Sequence, residues 1–543
     1  MAPGMDSQVL TTRRQWLAAA AGGLAPRRRP NIIVIMADDM GFSDLGCYGS
    51  EIATPNLDAL AARGARFTQF YNCARCCPTR ASLLTGLYPH QAGIGYMEPS
   101  NRYNRPAIET LRLPQYQGFL NDNCVTIAEA LRPAGYQTFM VGKWHVGASP
   151  GQRPLDRGFD RFFGIHGGAG GYFKPNANTV HYNRDPLTEL PPDYYATDYY
   201  ARYAAKFIEE SDRERPFFLY LGFTSPHWPL EAWPEDIARY RGRYRIGWDE
   251  LRRRRLARQI ELGLFPRDTK LPPRHPESYP WEKENNQENM DLRMAVYAAM
   301  IDRMDRGVGR VMEALKKTGQ EEDTLVMFLS DNGACAEPYM RNAANAQNHA
   351  AQLLPWANAS NTPFRLFKHW VHEGGISSPM IASWPSRIQG GTINRKWVGH
   401  VMDILPTCLD AAGAQLPQSR GGRAVQAPEG MSLMRALRDP GARRDRPVFW
   451  EHEGNRALRD GRWKLVSYYN TIHEEGLKVG TGQRSGAWEL YDLEADRAEL
   501  NDRSKAEPRR LRTMIERHRN WQRRVGVTDW EAILRAGGYH QGG

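Results

Sequence analysis

The stretch Asn31-Ile32-Ile33-Val34-Ile35-Met36-Ala37-Asp38-Asp39 decides the fold class. Its apolar run is continuous and rich in β-branched side chains, with no polar alternate face. That pattern predicts a strand buried on both sides of a mostly parallel sheet. The carboxylate pair that ends the run carries a second message. Ligands of open α/β sheets sit beyond the carboxyl ends of the strands, so residues that follow apolar runs are candidates for chemistry.

Downstream, Thr54-Pro55-Asn56-Leu57-Asp58-Ala59-Leu60-Ala61-Ala62-Arg63-Gly64 reads as a complete helix, with a Thr cap, Pro in the first turn and a closing Gly. Ala65 to Tyr71 alternates at strand period and delivers the chain to Cys76-Cys77-Pro78-Thr79-Arg80-Ala81-Ser82-Leu83-Leu84-Thr85-Gly86. This second stretch predicts a short helix whose N-terminus presents Cys76. Free N–H groups and the helix dipole favour an anion there, and Arg80 lies one turn on. Such a niche suits a reactive thiol. On this stretch alone, Cys73, Cys76 and Cys77 as metal ligands or half of a disulfide framework is the stronger reading.

Further strands are expected at Tyr136 to Val141, Pro216 to Phe223, Thr324 to Leu329 and Pro379 to Trp384. Met294 to Lys317 carries a helical stripe of core residues. Residues 228–290 lack clear periodicity and read as a surface excursion walling a substrate pocket, with the basic run Leu251 to Leu256 as a solvated helix face. Near Arg438 to Asp445 the pattern changes. Short runs around Trp450, Leu458, Leu465 and Leu490 predict a small antiparallel sheet, closed by a helix from Pro508 to Arg524. The expected organisation is an N-terminal leader or disordered segment over 1–29, a large α/β domain over 30–440, and a small C-terminal α+β domain over 441–543.

At 543 residues the chain can bury a large core. Its 72 basic against 61 acidic residues give a net charge of +11, which favours anionic partners, but no nucleic-acid-binding motif accompanies it. No apolar run approaches the roughly 20 residues that span a bilayer. Seven cysteines are too sparse for a disulfide scaffold. Thr12-Arg13-Arg14-Gln15-Trp16-Leu17 and the alanines after it resemble a twin-arginine export leader, implying a periplasmic or secreted protein.

The residues that follow the strands are unusually polar. They are Asp38-Asp39, Lys143-Trp144-His145, His227 and Asp331-Asn332. Adjacent buried carboxylates need a cation, and this all-oxygen set suits a hard one such as Ca²⁺ or Mg²⁺. Lys143, His145 and His227 offer cations and a proton-transfer group, and Lys143 and His145, two apart, would face one way in an extended segment. Lys368 precedes Glu373-Gly374-Gly375 and another strand. Gly167 to Gly171 lacks a P-loop lysine and reads as a flexible or closely approached loop. His369 and His372 beside Glu373 lack the HExxH order of a zinc site.

From about residue 30 to its end, the chain resembles the formylglycine-dependent (type I) sulfatases, bacterial arylsulfatases especially, in the alkaline-phosphatase-like superfamily. The resemblance rests on Cys76-x-Pro78-x-Arg80 with Leu84-Thr85-Gly86, Ala37-Asp38-Asp39-Met40-Gly41, Gly142-Lys143-Trp144-His145-Val146-Gly147, Pro226-His227, Ser330-Asp331-Asn332-Gly333 and Lys368 before Glu373-Gly374-Gly375. It implies an α/β fold with a large mixed, mostly parallel sheet flanked by helices. It also implies that a formylglycine-generating maturation enzyme converts Cys76, and not Cys77, to 3-oxoalanine (Cα-formylglycine). In the family's reaction one oxygen of the hydrated aldehyde attacks sulfur and the second then expels sulfate. Carried over by motif, Ca²⁺ is held by Asp38, Asp39, Asp331 and Asn332, and Lys143 and Lys368 stabilise charge on the sulfuryl oxygens. His227 assists the leaving oxygen, His145 is the base and Arg80 holds the diol.

The implied substrate is a sulfated small molecule or carbohydrate. Thr79 stands where serine is common, and Ile376-Ser377-Ser378-Pro379 lacks an arginine that many relatives carry. Two other readings compete. One is a phosphonate monoester or phosphodiester hydrolase on the same site, and the other a non-catalytic binder of sulfated glycans. Substrate choice is expected to lie in 90–120, 165–195 and 228–290.

Overall fold

The computed structural model describes residues 29–98, 109, 111–337, 344–345, 348–349, 351–469 and 486–536. The expected leader, save residue 29, and part of the 90–120 stretch lie outside the described residues. No helix among the described residues is long and apolar enough to cross a membrane.

The Asn31–Ala37 strand is wholly buried at the centre of an 11-stranded sheet. It pairs in parallel with Phe217–Gly222 on one side and Thr324–Ser330 on the other. Gln137–Lys143 and Arg161–Ile165 continue the parallel run. On the far side, Ser377–Ser383 runs antiparallel to both Thr324–Ser330 and Ala65–Tyr71, which makes the sheet mixed. Its ladder shifts register between Ser378 and Met380, where Pro379 cannot donate a hydrogen bond. Two expected boundaries move by two residues: the strand predicted to stop at Val141 runs on to Lys143, and the one predicted to start at Pro379 begins at Ser377; the others shift by one residue at most.

Strand alternation splits the apolar run between two cores. Ile33 and Ile35 face the helix Gln287–Lys317 through Met294, Ile301, Met304 and Val308. Ile32, Val34 and Met36 face the helix Cys76–Thr85 through Leu83 and Leu84. Both faces are therefore covered, which is why the run needs no polar alternate positions.

The expectation of a surface excursion over 228–290 is corrected. The segment contains the helix Gly247–Glu261, and Trp248 packs edge-on against Trp281 and Trp356 with centroids 4.8 and 5.4 Å apart. Of the basic run, Arg252 and Arg255 are buried. Arg255 reaches Asp44 at 2.5 Å and Glu51 at 2.9 Å. The buried stripe Trp248, Leu251, Arg252, Arg255, Leu256 and Gln259 keeps helical spacing, but polar side chains occupy half of it, which blurs the hydrophobic periodicity.

The small C-terminal sheet is present as four antiparallel strands, Val448–His452, Asn455–Asp460, Trp463–Ser467 and Glu489–Asp492. The helix Pro508–Val525 covers it with Met514 against Leu458, Leu465 and Leu490. A buried ion network fastens this sheet to the large one. Glu373 meets Lys464 at 2.8 Å and also pairs with Arg497, while its amide donates to Glu499 at 2.9 Å.

Candidate active site

Because Asn31–Ala37 and Thr324–Ser330 are neighbours in register, with Ala37 opposite Ser330, their polar ends emerge side by side. The Asp39 amide donates to Asp331 Oδ1 at 3.2 Å, and Asn332 Nδ2 donates to Asp39 Oδ1 at 2.6 Å. Asp39 has φ +63°, a left-handed conformation rare for a non-glycine residue and common where function dictates geometry. All four side chains are buried, and Asp38 Oδ1 and Asn332 Oδ1 accept no hydrogen bond. Orphaned buried oxygens of this kind fit a hard cation. The residues present therefore suit a hard cation such as calcium, which Asp38, Asp39, Asp331 and Asn332 would hold.

Positive side chains surround these oxygens. Lys143 ends its strand with Nζ 2.5 Å from Asp38 Oδ2, and Lys368 Nζ lies 2.8 Å from Asp39 Oδ1. Arg80, fully buried, donates to Asp331 Oδ2 at 2.9 Å, Asp38 Oδ2 at 3.3 Å and the Lys143 carbonyl at 2.9 Å. Gly222 makes room for it, since a Cβ there would sit 2.9 Å from Arg80 Nη1. Burial opposes ionisation of Asp39, but Lys368 and His227 hold its pKa down at about 2. Burial together with the neighbouring Asp38 raises Asp331 to about 6, against Arg80 and Lys143.

The helix Cys76–Thr85 begins at Cys76 and ends on Gly86 with φ +70°. One donor atom each from Asp38, Asp39, Cys76 and His227 lies within 4.8 Å of the others. Cys77 is not in that group: its Sγ lies 3.2 Å from the Glu98 amide and within an apolar cluster. All seven cysteines are buried free thiols, so the disulfide reading of Cys73, Cys76 and Cys77 is not realised. Burial raises the Cys76 pKa, with Lys143 and Lys368 opposing. The unmodified thiol is thus a poor nucleophile.

The two histidines take different tautomers. His227 Nδ1 lies 2.6 Å from the Trp228 carbonyl, so Nδ1 carries the proton and Nε2, 3.6 Å from Asp39, carries the lone pair when the ring is neutral. Burial lowers its pKa to about 3, despite Asp39. His145 Nε2 donates to the Glu98 carbonyl at 2.5 Å, which leaves Nδ1 as the lone pair, buried and without a hydrogen-bond partner. Burial and then Lys143 push its pKa well down. The expected extended geometry between Lys143 and His145 is corrected, because His145 has φ +58° and the chain turns there.

The structure thus brings Cys76, Arg80, Lys143, His145, His227, Lys368, Asp38, Asp39, Asp331 and Asn332 into one buried locality. Several supports escaped the sequence reading. Tyr297, placed on a packing stripe, donates to Asp44 at 2.7 Å and to the Asp39 carbonyl at 3.2 Å. Thr79 donates to the Asp331 carbonyl at 2.7 Å. Gly168 packs so closely on His145 that a Cβ would lie 2.5 Å from the ring, which identifies the Gly-rich loop as a closely approached one. The Gly run and the place of Thr79 inside the Cys76 motif were the local signals among these.

Comparison with known proteins gives a family match. The sulfatase model matches residues 30–414, and a model for the C-terminal part of N-sulphoglucosamine sulphohydrolase matches 364–518. An uncharacterized sulfatase of Schizosaccharomyces pombe is 35% identical, over 93% of this chain and 95% of that one. An arylsulfatase of Klebsiella aerogenes is 36% identical over 79% of this chain and 96% of its own length. The crystal structure of Ps i-CgsB in complex with k-i-k-neocarrahexaose superposes with TM-score 0.64 at 26% identity, covering 94% of this chain and 100% of that one.

Proposed function

The chain belongs to the sulfatase family and is a sulfuric ester hydrolase of alkaline-phosphatase-like fold, and from that premise we propose that it cleaves sulfate esters, carbohydrate ones included, with a nucleophile made from Cys76 beside a calcium ion. The observation that carries this reading is the meeting of Cys76 with Asp38, Asp39 and His227 while Cys77 lies against Glu98 outside that group. Matured to Cα-formylglycine, residue 76 supplies a hydrated aldehyde whose oxygen replaces a weakly ionised thiol. Calcium, held by Asp38, Asp39, Asp331 and Asn332, supplies Lewis acidity towards sulfate oxygens.

The chain's own side chains do the rest. Lys143 and Lys368, each anchored on one of the paired aspartates, set two ammonium groups where charge accumulates on the sulfuryl oxygens. Arg80 holds the helix start against Asp38 and Asp331. A bound sulfate ester adds negative charge beside His227, which favours its protonated form, and Nε2 then gives its proton to the leaving oxygen. His145 presents the Nδ1 lone pair, oriented by the Glu98 carbonyl, to take a proton from the residue-76 oxygen.

We assign 30–440 to catalysis and 441–543 to the small domain. The Arg13-Arg14 motif supports export, periplasmic or secreted. The neocarrahexaose bound by the structural relative supports a saccharide as the part of the substrate that carries the sulfate ester. The test is sulfate release by Cys76→Ala and Cys77→Ala after co-expression with a maturation enzyme. Loss in the first and retention in the second is expected, and the reverse result would end the assignment of Cys76.

A further inference from the structure

Away from the active site, the seam between the large sheet and the C-terminal sheet holds a cleft of about 970 Å³. It shares no lining residue with the site above. Among its lining residues seven are basic and three acidic. Three of the basic groups are consumed: Arg443 by Glu494, Arg444 by Asp403 and Arg497 by Glu373. The other four, Lys270, Arg395, Lys396 and Arg459, form no ion pair with any described residue.

Arg459 carries the argument. Its side chain is 2% exposed, and Nη2 donates to Gln69 Oε1 at 2.7 Å, but Nε and Nη1 meet no acceptor. Arg444 Nη2 is likewise buried without an acceptor. A guanidinium buried with unused donors is costly, and an anion with paired oxygens is what relieves that cost. Lys270, Arg395 and Lys396 are exposed and extend the positive field across the rim.

We propose that this seam is a second, non-catalytic binding site for an anionic saccharide chain, in which Arg459 and the rim cations receive sulfate or carboxylate groups. A cleft of this volume lies at the upper end of small-ligand sites and far exceeds a single sulfate ion. Its only lining aromatic, Phe265, is itself buried, so it offers no platform for stacking bases. The choice of a saccharide rests on the carbohydrate-sulfatase reading. The presence of an anion site rests on the cleft alone.

The test uses the full chain carrying Cys76→Ala, so that hydrolysis is removed. It is titrated by calorimetry with a defined sulfated hexasaccharide, with and without Lys270→Glu and Lys396→Glu. The expected result is binding that weakens about tenfold on the double rim reversal and falls as salt rises. Arg459→Gln should weaken it too, but the exposed rim pair keeps the test independent of a folding defect. With Cys76 intact, the same rim reversals should leave kcat and KM for a small aryl sulfate unchanged. Affinity that ignores the rim charges, complete displacement of the saccharide by a small aryl sulfate, or equally tight binding of an oligonucleotide of equal charge would each overturn the proposal. Failure of the carbohydrate reading shows separately, as no sulfate release from the hexasaccharide by the mature enzyme.

Discussion

Glu489→Gln tests the clamp between the C-terminal sheet and the loop that bears Lys368. Glu489 opens its strand in a buried position, 3.4 Å from His372 Nε2 and 3.7 Å from Arg365 Nη1, and accepts from the Tyr491 hydroxyl at 2.5 Å. Burial alone would raise its pKa, but His372, then Arg365 and Tyr491, bring it from 4.5 to about 2. At 1.36 kcal/mol per unit, that shift corresponds to about 3 kcal/mol of stability. The folded-state pKa is depressed, so this contribution is complete above 4.5 and is lost as pH falls towards about 2. Gln keeps the shape and the acceptor for Tyr491, so the substitution removes mainly the charge. Unfolding free energies of wild type and variant, from denaturant titrations between about pH 7 and about pH 3, should differ by about 3 kcal/mol at the neutral end and by roughly half of that at about pH 3, where the pH is still above the folded pKa. A gap that stays constant across that range, or no gap at neutral pH, refutes the linkage.

Three further outcomes follow from the geometry. Gly168→Ala drives a methyl into the His145 ring, and kcat for an aryl sulfate should fall about 10²-fold with an unchanged circular dichroism spectrum; wild-type turnover would show that the loop does not position His145. Arg255→Met leaves Asp44 buried without its cation and should cost about 3–5 kcal/mol in urea unfolding, whereas a loss under about 1 kcal/mol would mean that the pair contributes nothing measurable. Chelation of calcium should abolish turnover and lower Tm, with both restored by calcium and not by zinc, because the donors are all oxygens; zinc rescue would contradict the hard-cation assignment.

Much of the site was legible because four of its motifs sit at the ends of strands that announce themselves. The apolar runs before Asp38, Lys143, His227 and Asp331 are buried on both faces, and parallel packing brings their ends to one edge of the sheet. The family motifs then attached roles to those residues. Less was legible where polar side chains fill buried positions. Arg255 and Gln259 blur the hydrophobic periodicity of a core-facing helix, and Tyr297 looks like packing until its hydroxyl is seen under Asp39.

By itself, then, the chain's sequence determined the sheet, the order of its polar strand ends and the residue types a sulfatase site needs, since those follow from local periodicity and short motifs. Tertiary structure alone decided that Cys76 faces the aspartates while Cys77 faces Glu98, and that a turn at His145 aims its lone pair. It also decided that Glu373, Glu489 and Arg459 lie where two sheets meet. These partners are up to hundreds of residues apart, and their pairing is set by the packing of whole elements, which no local pattern encodes.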